Sequence, residues 1–318
     1  MSAERASPGE LAARLRERDL GAAPAALELL EDGGAPAREL LAALSPRALG
    51  AEAAGHIVGL TGPPGVGKST LLGALAAAWR ASERTVAVLA VDPSSRRSGG
   101  ALLGDRIRIA GSAPGGPGRF IRSMAARERT GGLAPATRAA AQALAVAFDV
   151  VVVETVGVGQ SETEIADLAD TVVVVVQPGA GDSLQFLKSG LMEVPDLLVV
   201  AKADLGTPAQ ATLAEVRAAL RLLGADDTPT LPVSALSPGQ GIEELVAALD
   251  RHRASIDLGA RRLKSRRAGA LADFISEYGS RGLMALGGAQ AAEELLSGQA
   301  ADLDGAALVA SLVSAAGL

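Results

Sequence analysis

Cysteine is absent from this chain of 318 residues, and aromatic residues are scarce. The absence of cysteine excludes disulfides and thiolate metal sites. The two histidines, His56 and His252, are far apart in the sequence, so we expect each to be an ordinary packing or surface residue rather than a metal ligand. Because aromatic residues make up 2% of the chain and hydrophobic residues 48%, the core must be built from valine, leucine, isoleucine and alanine. That composition suits a parallel sheet covered by alanine-rich helices.

The sequence also has neither an excess of positive charge nor a long apolar run. Its formal net charge of -6 argues against nucleic-acid binding over a broad basic face. The longest apolar runs are interrupted by Asp149, Asp170 and Asp196, and none approaches the roughly 18 to 20 residues of a membrane-spanning helix. Residues 1–19 mix arginine and glutamate and lack the apolar centre of a signal peptide. We therefore expect a cytoplasmic protein that binds neither nucleic acid nor membranes.

The spacing of apolar residues changes twice along the chain, which predicts three segments. Residues 1–50 form an N-terminal helical segment, and residues 254–318 return to helical spacing as a C-terminal helical segment. Between them, residues 51–253 alternate short apolar runs with alanine-rich stretches, the pattern of an α/β fold with a mainly parallel sheet flanked by helices. The predicted strands are 56–61, 85–91, 149–154, 171–177, 196–201 and 229–234. The predicted helices are 69–82, 133–147, 183–193, 208–223 and 240–253.

Two stretches stand out from this pattern by their composition. Pro93 to Arg119 is rich in glycine and proline and carries several arginines, which predicts a long loop that is either functional or mobile. Within the C-terminal segment, we expect a basic run to lie on a solvated helix face, with contact to an acidic partner or a second subunit as the alternative. The run consists of Arg261, Arg262, Lys264, Arg266 and Arg267.

Residues 62–69 read Gly-Pro-Pro-Gly-Val-Gly-Lys-Ser, a match to the phosphate-binding pattern G-x-x-x-x-G-K-[ST]. A strand is predicted before the loop and a helix after it, which is the context that the pattern requires. Its glycines allow backbone N–H groups to wrap a phosphate, and the helix N-terminus favours the anion. We expect Lys68 to bridge the β- and γ-phosphates as a catalytic residue, and Ser69 to ligate Mg²⁺. The predicted nucleotide contacts from the loop are Gly62, Pro63, Gly65, Val66, Gly67, Lys68, Ser69 and Thr70.

Acidic side chains that follow buried strands are candidates for the magnesium site. Asp92 and Glu154 both end apolar runs, so both are expected at the carboxyl edge of the sheet, where ligands bind. Asp105, in the long loop, is a third candidate ligand. Gly157 is expected to lend its backbone N–H to the γ-phosphate as a switch, and Gln160 is the candidate for orienting the attacking water.

The loops after the last two predicted strands carry the candidate base-binding residues. Asp204 can accept two hydrogen bonds from guanine N1–H and N2–H₂, a pair that adenine does not offer. Lys202 is expected to lay its stem across the base, and the backbone N–H of Ala235 to donate to guanine O6. Ser234 and Leu236 complete this predicted site, which favours GTP over ATP.

These motifs together resemble the MeaB/ArgK family of P-loop GTPases, the chaperones of adenosylcobalamin-dependent acyl-CoA mutases. The resemblance spans roughly residues 50–253. Its most specific parts are Val-Asp-Pro-Ser-Ser at 91–95 and Glu-Thr-Val-Gly-Val-Gly-Gln-Ser-Glu at 154–162. The other matching segments are 62–70, 99–106 and 181–185.

The resemblance implies a set of partners. Members of the family are homodimers whose C-terminal helices help to form the dimer. They bind a mutase, of which the methylmalonyl-CoA type is the default, and a cobalamin adenosyltransferase as a further partner. They use GTP to gate cofactor loading and to remove damaged cofactor. Pro178 to Lys188 matches the family's third switch loop, so Gln185 and Lys188 are the candidates for coupling hydrolysis to the mutase.

Two positions depart from the usual pattern of such GTPases. Ala201 stands where the base-reading motif usually begins with asparagine, whose side chain ties the base loop to the phosphate loop. Its loss predicts weaker GTP binding, by on the order of 1 kcal/mol, with Asp204 still favouring guanine. Leu236 stands where many GTPases carry lysine over the base, a smaller change because the backbone N–H remains.

Three other functions compete with a regulated GTPase. The first is an ATP- or GTP-dependent protein kinase linked to amino-acid transport; Asp204 argues against the use of ATP. The second is a nucleotide-binding scaffold that hydrolyses weakly, which Ala201 favours. The third, a nickel or zinc metallochaperone GTPase, is disfavoured because the chain has no cysteine and two scattered histidines.

Overall fold

The computed structural model describes residues 6–48, 55–92, 118–125, 133–155, 161–179, 195–236 and 239–318. The chain divides into two compact units. The helical unit consists of Met1–Gly55, Pro135–Phe148 and Asp257–Leu318, and the sheet unit consists of His56–Ala134 and Asp149–Ile256. Because Pro135–Phe148 belongs with the terminal helices, the units do not follow chain order. The predicted division into segments 1–50, 51–253 and 254–318 stays a prediction.

The described helices, in chain order, are α1 (Pro8–Arg16), α2 (Ala23–Asp32), α3 (Gly34–Ala48), α4 (Lys68–Ala81), α5 (Pro135–Ala147), α6 (Ser161–Ala166), α7 (Thr207–Leu222), α8 (Ile242–Ser255), α9 (Leu258–Ala285), α10 (Ala289–Ser297) and α11 (Gly305–Ala316). The described strands are β1 (His56–Thr61), β2 (Val86–Asp92), β3 (Arg119–Ala125), β4 (Val150–Thr155), β5 (Thr171–Val176), β6 (Leu197–Val200) and β7 (Thr230–Pro232). Short 3-10 helices lie at Leu20–Ala22 and Ala203–Leu205. None of the helices in these described ranges is long and apolar enough to cross a membrane.

The strands form one parallel sheet in the order β3-β2-β4-β1-β5-β6-β7. Every residue of β1, β4 and β5 is buried, which explains why these strands are continuous apolar runs in the sequence. The predicted fold class, a parallel α/β sheet with helical extensions at both ends of the chain, is confirmed. Since β1 lies between β4 and β5, the loop that follows it emerges at the centre of the carboxyl edge.

Strand β3 was not predicted from the sequence. It pairs with β2 at the edge of the sheet, in register from Val86 opposite Arg119 to Asp92 opposite Ala125. Met124 is buried, whereas residues 119–123 are half-buried and include two arginines and a serine. An edge strand of this kind lacks the continuous apolar run of a central strand, so its sequence gives a weak signal.

The core of the sheet unit packs against α4. Leu71, Leu75 and Trp79 share one face of this helix and belong to a buried cluster with strand valines and with Leu245 and Leu249 of α8. Trp79 is the sole tryptophan of the chain and is 1% exposed. Its fluorescence therefore reports the folding of this unit. The same packing fixes the first turn of α4, where the phosphate-binding pattern ends.

The two histidines meet at one threonine. The hydroxyl oxygen of Thr171 lies 2.7 Å from His56 Nε2 and 2.8 Å from His252 Nδ1. His252 Nε2 lies 3.2 Å from Asp196 Oδ1. In the described part of the chain, no three His, Cys, Asp or Glu side chains gather in a way that could hold a metal ion. The histidines thus link the starts of strands β1 and β5 to α8, a proximity that their separation in the sequence conceals.

Stability of the sheet unit is expected to decrease below about pH 6.5 because of His56. Burial lowers the pKa of His56 from 6.5 to about 4, although the charge of Asp170 acts in the opposite direction. As the pH falls, the unfolded chain binds this proton first, so the free energy of unfolding falls between about pH 6.5 and pH 4, by on the order of 3 kcal/mol. The variant His56→Gln should show a flatter pH dependence in urea unfolding followed by Trp79 fluorescence. Equal slopes for both proteins would contradict this account.

Two basic residues of α9 are buried, so the prediction that the basic run lies on a solvated helix face is wrong for them. Arg262 and Arg266 are 5% and 4% exposed, and Arg266 donates to the carbonyl oxygen of Ala301 at 2.6 Å. Burial, together with the charges of Arg267 and Arg262, lowers the pKa of Arg266 to about 10, although the charges of Asp302 and Asp304 act in the opposite direction. Arg267 donates to the carbonyl oxygen of Ser297, at the C-terminal end of α10, where a helix favours cations. The basic run therefore connects α9 to the segment that follows α10.

Candidate functional site

The loop between β1 and α4 has the backbone of a phosphate cradle. Gly67 has a φ of 103° and precedes the first residue of α4, while Gly62 has a φ of 145°. A Cβ atom at Gly62 would lie 2.2 Å from the carbonyl oxygen of Val175 in β5, so the loop can pass this strand only as glycine. Val66 is buried in the core cluster and anchors the loop from below. The N–H groups of the α4 N-terminus are thereby held in a position that favours an anion.

Lys68 folds back over this loop. Its Nζ donates to the carbonyl oxygens of Gly62 at 2.7 Å and Pro63 at 3.0 Å, and the residue is 7% exposed. Because Lys68 is the first residue of α4, the helix start and the loop start are joined through one ammonium group. The positive charge thus lies inside the cradle.

Ser69 and Glu154 come together beside the loop. The Ser69 hydroxyl donates to Glu154 Oε1 at 2.9 Å, and Glu154 is a buried residue of β4 that lies opposite Leu60 of β1. Asp92 is the last residue of the neighbouring strand β2, at the same edge of the sheet. Hydroxyl and carboxylate oxygens are the ligands that Mg²⁺ prefers, so Ser69 and Glu154 fit this ion.

The two predicted base-binding loops are joined by a hydrogen bond. Asp204 is exposed, and its Oδ1 accepts from the Ser234 hydroxyl at 2.6 Å. The Ser234 oxygen in turn accepts from the backbone N–H of Leu236 at 3.3 Å, while the Leu236 side chain is 61% exposed. The backbone N–H of Ala203 donates to the Val233 carbonyl at 3.1 Å. The loops after β6 and β7 therefore form one surface, with the Asp204 carboxylate exposed on it.

Lys202 connects this predicted base-binding surface to the phosphate loop. It adopts a left-handed φ of 57°, and its Nζ donates to Gln177 Oε1 at 2.5 Å and to the Gly65 carbonyl oxygen at 3.4 Å. Gln177 directly follows β5 and was not among the residues predicted from the sequence. The available signal was its position, because it is a polar residue at the end of a buried parallel strand.

A second contact that was not predicted from the sequence lies below the phosphate loop. The Thr155 hydroxyl donates to the Thr61 hydroxyl oxygen at 3.0 Å, and both residues are buried. These residues end the adjacent strands β4 and β1, so the bond holds the two strand ends that carry Glu154 and the loop. Strand-end threonines are common in sequences, and only the pairing of β1 with β4 shows that these two meet.

Several predicted site residues lie outside the described residues. Asp105 belongs to the long loop, and Gly157 and Gln160 belong to the predicted switch. Gln185 and Lys188, the predicted partner-coupling residues, fall in the segment that follows β5. For Asp92 the backbone is described but the side chain is not. The roles of these residues stay predictions.

Alanine is expected to be tolerated far better at Gly65 than at Gly62. In the Gly65→Ala variant, the added Cβ atom meets no other atom within 4 Å. The loss of stability is therefore that of placing alanine at a φ of 78°, about 1 kcal/mol. Gly62→Ala adds the collision with Val175, and we expect it to be destabilised by at least about 2–3 kcal/mol. Urea unfolding of the two variants, followed by Trp79 fluorescence, measures the difference. Equal losses of stability would contradict the tight passage of the loop against β5.

Comparison with known proteins extends these observations to most of the chain. A family model described as methylmalonyl-CoA mutase-associated GTPase MeaB matches residues 24–281. A protein of Pyrococcus abyssi named as a GTPase is 43% identical over 266 residues, covering 81% of this chain and 80% of its own length. A Mycobacterium tuberculosis protein, also named as a GTPase, is 41% identical over 83% of this chain and 80% of its own length. The mouse methylmalonic aciduria type A homolog, mitochondrial, is 40% identical over 59% of this chain and 46% of its own length.

Solved structures show the same fold. A structure described as LAO/AO transport system kinase superimposes with a TM-score of 0.66 and 28% identity, covering 90% of this chain and 88% of its own. A structure described as HypB of Helicobacter pylori in complex with nickel gives a TM-score of 0.51 at 19% identity over 69% of this chain and 95% of its own. At that identity, the second likeness concerns the fold alone.

Proposed function

The chain belongs to the MeaB family of methylmalonyl-CoA mutase-associated GTPases, and we propose that it hydrolyses GTP to gate adenosylcobalamin loading of an acyl-CoA mutase. Protection of the loaded mutase against damaged cofactor is part of the same proposal. The observation that best supports the hydrolytic part is the bond from Ser69 to Glu154, because it gathers hydroxyl and carboxylate oxygens beside a phosphate cradle. The family supports the mutase part.

Lys68 has the main role in the proposed reaction. Backbone N–H groups of the loop and of the α4 N-terminus hold the β-phosphate. The Lys68 ammonium exchanges the carbonyls of Gly62 and Pro63 for oxygens of the β- and γ-phosphates. There it stabilises the negative charge that develops on the β–γ bridge while water attacks the γ-phosphate in line.

The remaining roles in the proposed reaction belong to the metal-binding side chains and the switch. We assign Ser69, Glu154 and Asp92 to hold Mg²⁺, with Asp105 as a further ligand. When bound, Mg²⁺ would supply positive charge to the phosphate groups. Gly157 offers its backbone N–H to the γ-phosphate, and Gln160 orients the water. These assignments follow the sequence pattern, together with the contact between Ser69 and Glu154.

Guanine selection is assigned to the surface formed by the loops after β6 and β7. Asp204 accepts from guanine N1–H and N2–H₂ through the carboxylate that Ser234 holds. The backbone N–H of Ala235 donates to guanine O6, and the stem of Lys202 covers one face of the base. The exposed Leu236 side chain is available to the other face.

The partner assignments rest on the family. We propose a homodimer in which the C-terminal helices take part, bound to an adenosylcobalamin-dependent mutase of the methylmalonyl-CoA type. A cobalamin adenosyltransferase is the proposed further partner, and Gln185 and Lys188 couple hydrolysis to the mutase. The cytoplasmic location stays a prediction.

The test is the rate of Mg²⁺-dependent GTP hydrolysis, measured with the protein alone and with the purified adenosylcobalamin-dependent mutase from the same source. We expect a slow basal rate that rises several-fold with the mutase. GTP hydrolysis that does not respond to the mutase would support the GTPase activity but contradict the proposed partner. A mutase-stimulated loss of GTP should also disappear when Mg²⁺ is chelated.

A second candidate function is a nucleotide-dependent protein kinase linked to amino-acid transport. It is favoured by the likeness to the structure described as a transport system kinase. The two candidates differ in the fate of the γ-phosphate, which a GTPase releases as inorganic phosphate and a kinase transfers to a protein. Labelled γ-phosphate recovered on a protein would favour the kinase. GTP binding with negligible phosphate release and negligible phosphate transfer would favour the alternative of a nucleotide-binding scaffold that hydrolyses weakly.

A further inference from the structure

We propose that Gln177 is a positioning residue for nucleotide binding. It holds Lys202, in the loop after β6 (the base loop), against the phosphate loop between β1 and α4. The proposal rests on the proposed GTPase function and names a determinant of guanine-nucleotide affinity within the same site. Gln177 directly follows β5, and β5 lies between β1 and β6. Gln177 thus emerges between the strand that leads into the phosphate loop and the strand that leads into the base loop.

The contacts made by Lys202 join these three strand ends. Its Nζ lies 2.5 Å from Gln177 Oε1, and 3.4 Å from the carbonyl oxygen of Gly65 in the phosphate loop. Both contacts have the same charged donor, which makes each stronger than a hydrogen bond between neutral groups. They differ in length, and the contact to Gln177 is the shorter one. The amide of Gln177 therefore does more than the Gly65 carbonyl to hold the ammonium group in place.

The backbone around this contact is already aligned. Val176 of β5 pairs with Val200 of β6, and the Ala201 N–H donates to the Val176 carbonyl oxygen at 2.8 Å. Gln177 and Lys202 therefore start from neighbouring strand ends. Lys202 also adopts a left-handed φ of 57°, which is unfavourable for a lysine by roughly 1 kcal/mol and persists only when surrounding contacts hold it.

Ala201 makes the contact more important in this chain. An asparagine at this position would supply a second side chain to tie the base loop to the phosphate loop, whereas the alanine methyl group cannot donate or accept a hydrogen bond. Lys202 makes a side-chain bond from the base loop to the phosphate loop, at the carbonyl oxygen of Gly65. A lysine stem is flexible, and holding it in one rotamer costs entropy. Gln177 offsets that cost before the nucleotide arrives.

The proposal assigns Gln177 a role through Lys202 and no contact with the nucleotide. An ordered Lys202 stem covers one face of the purine, so loss of Gln177 should weaken binding of GTP and GDP alike. Hydrolysis itself takes place at Lys68 and the Ser69–Glu154 pair, so the loss should appear in KM more than in kcat. A residue that only stabilised the fold would change the free energy of unfolding without this difference.

The experiment compares Gln177→Ala, Gln177→Glu and the control Gln210→Ala, which removes an exposed amide from α7 in the same unit. Dissociation constants for GDP and a non-hydrolysable GTP analogue are measured by calorimetry, and KM and kcat by GTP hydrolysis. We expect about a fivefold to tenfold rise in Kd for Gln177→Ala. Gln177→Glu should bind at least as tightly as wild type because glutamate forms an ion pair with Lys202, and Gln210→Ala should match wild type.

A double-mutant cycle separates a Lys202-mediated role from any other. In the Lys202→Ala background, Gln177→Ala should cause no further change in Kd, because the group that it positions is gone. The proposal is overturned if Gln177→Ala binds like wild type, or if its effect is the same with and without Lys202. Failure of the wild-type protein to bind guanine nucleotides at all would be a different result, since it would contradict the proposed function itself.

Discussion

Replacing Lys68 with alanine is expected to lower kcat/KM for GTP hydrolysis by about a hundredfold or more. The ammonium group is buried inside the phosphate loop, where it bonds the carbonyl oxygens of Gly62 and Pro63. In the proposed reaction, this ammonium group stabilises the negative charge that develops when the β–γ bond breaks. Alanine keeps the backbone N–H groups of the cradle but removes the ammonium group. Hydrolysis is measured as phosphate release at saturating Mg²⁺ over a range of GTP concentrations.

The matched control for this variant is Lys264→Ala. Lys264 is an exposed residue of α9, in the helical unit, so its loss should leave hydrolysis within about twofold of wild type. Unfolding followed by Trp79 fluorescence shows whether each variant keeps the sheet unit folded. If a folded Lys68→Ala protein hydrolysed GTP at the same rate as Lys264→Ala, the proposed role of Lys68 in hydrolysis would be contradicted.

The variant Asp204→Asn is expected to change the preferred base from guanine to xanthine. In the proposed site, the Asp204 carboxylate accepts two hydrogen bonds from guanine, whereas an asparagine amide would accept one and donate one. Xanthine has a carbonyl oxygen in place of the guanine amino group, so it accepts the bond that asparagine donates. We expect GTP affinity to fall by about a hundredfold and XTP affinity to rise, because a site that hydrogen-bonds one base leaves polar groups unpaired with the other. Competition titrations with GTP, XTP and ATP measure both changes.

The control for base selection is Asp226→Asn, which makes the same change at an exposed position that follows α7. It should leave the ratio of GTP to XTP affinity as in wild type. In the Asp204→Asn variant, the side-chain amide oxygen can still accept from the Ser234 hydroxyl, so the loop should keep its structure. An unchanged GTP to XTP ratio in that variant, or equal affinity of the wild type for GTP and ATP, would contradict the assignment of Asp204.

Much of the fold could be predicted from local patterns. The predicted strand 56–61 has the observed bounds of β1, and the helix predicted at 69–82 is α4, shifted by one residue. Central parallel strands are buried on both faces, so the valine runs at 150–153 and 172–176 identify them without other information. The family could be predicted for a related reason, because its motifs are short contiguous segments that tertiary packing does not interrupt.

Other features were missed because their signals are weak or lie in distant parts of the sequence. β3 is an edge strand with polar residues, so it lacks the apolar run that marks β4. The buried Arg262 and Arg266 look like a solvated basic run, since the backbone carbonyls that satisfy arginine carry no sequence signature. Gln177 also lacked a motif.

By itself, the sequence determined the parallel α/β class, the phosphate loop between a strand and a helix, and membership of the MeaB family. These follow from periodicity and from contiguous motifs, which are local properties. The tertiary structure alone decided that Ser69 meets Glu154, that Lys202 meets Gln177, and that both histidines meet at Thr171. These pairs depend on the strand order, because a parallel sheet brings together residues that are far apart in the chain, and the order of strands is set by packing rather than by local sequence.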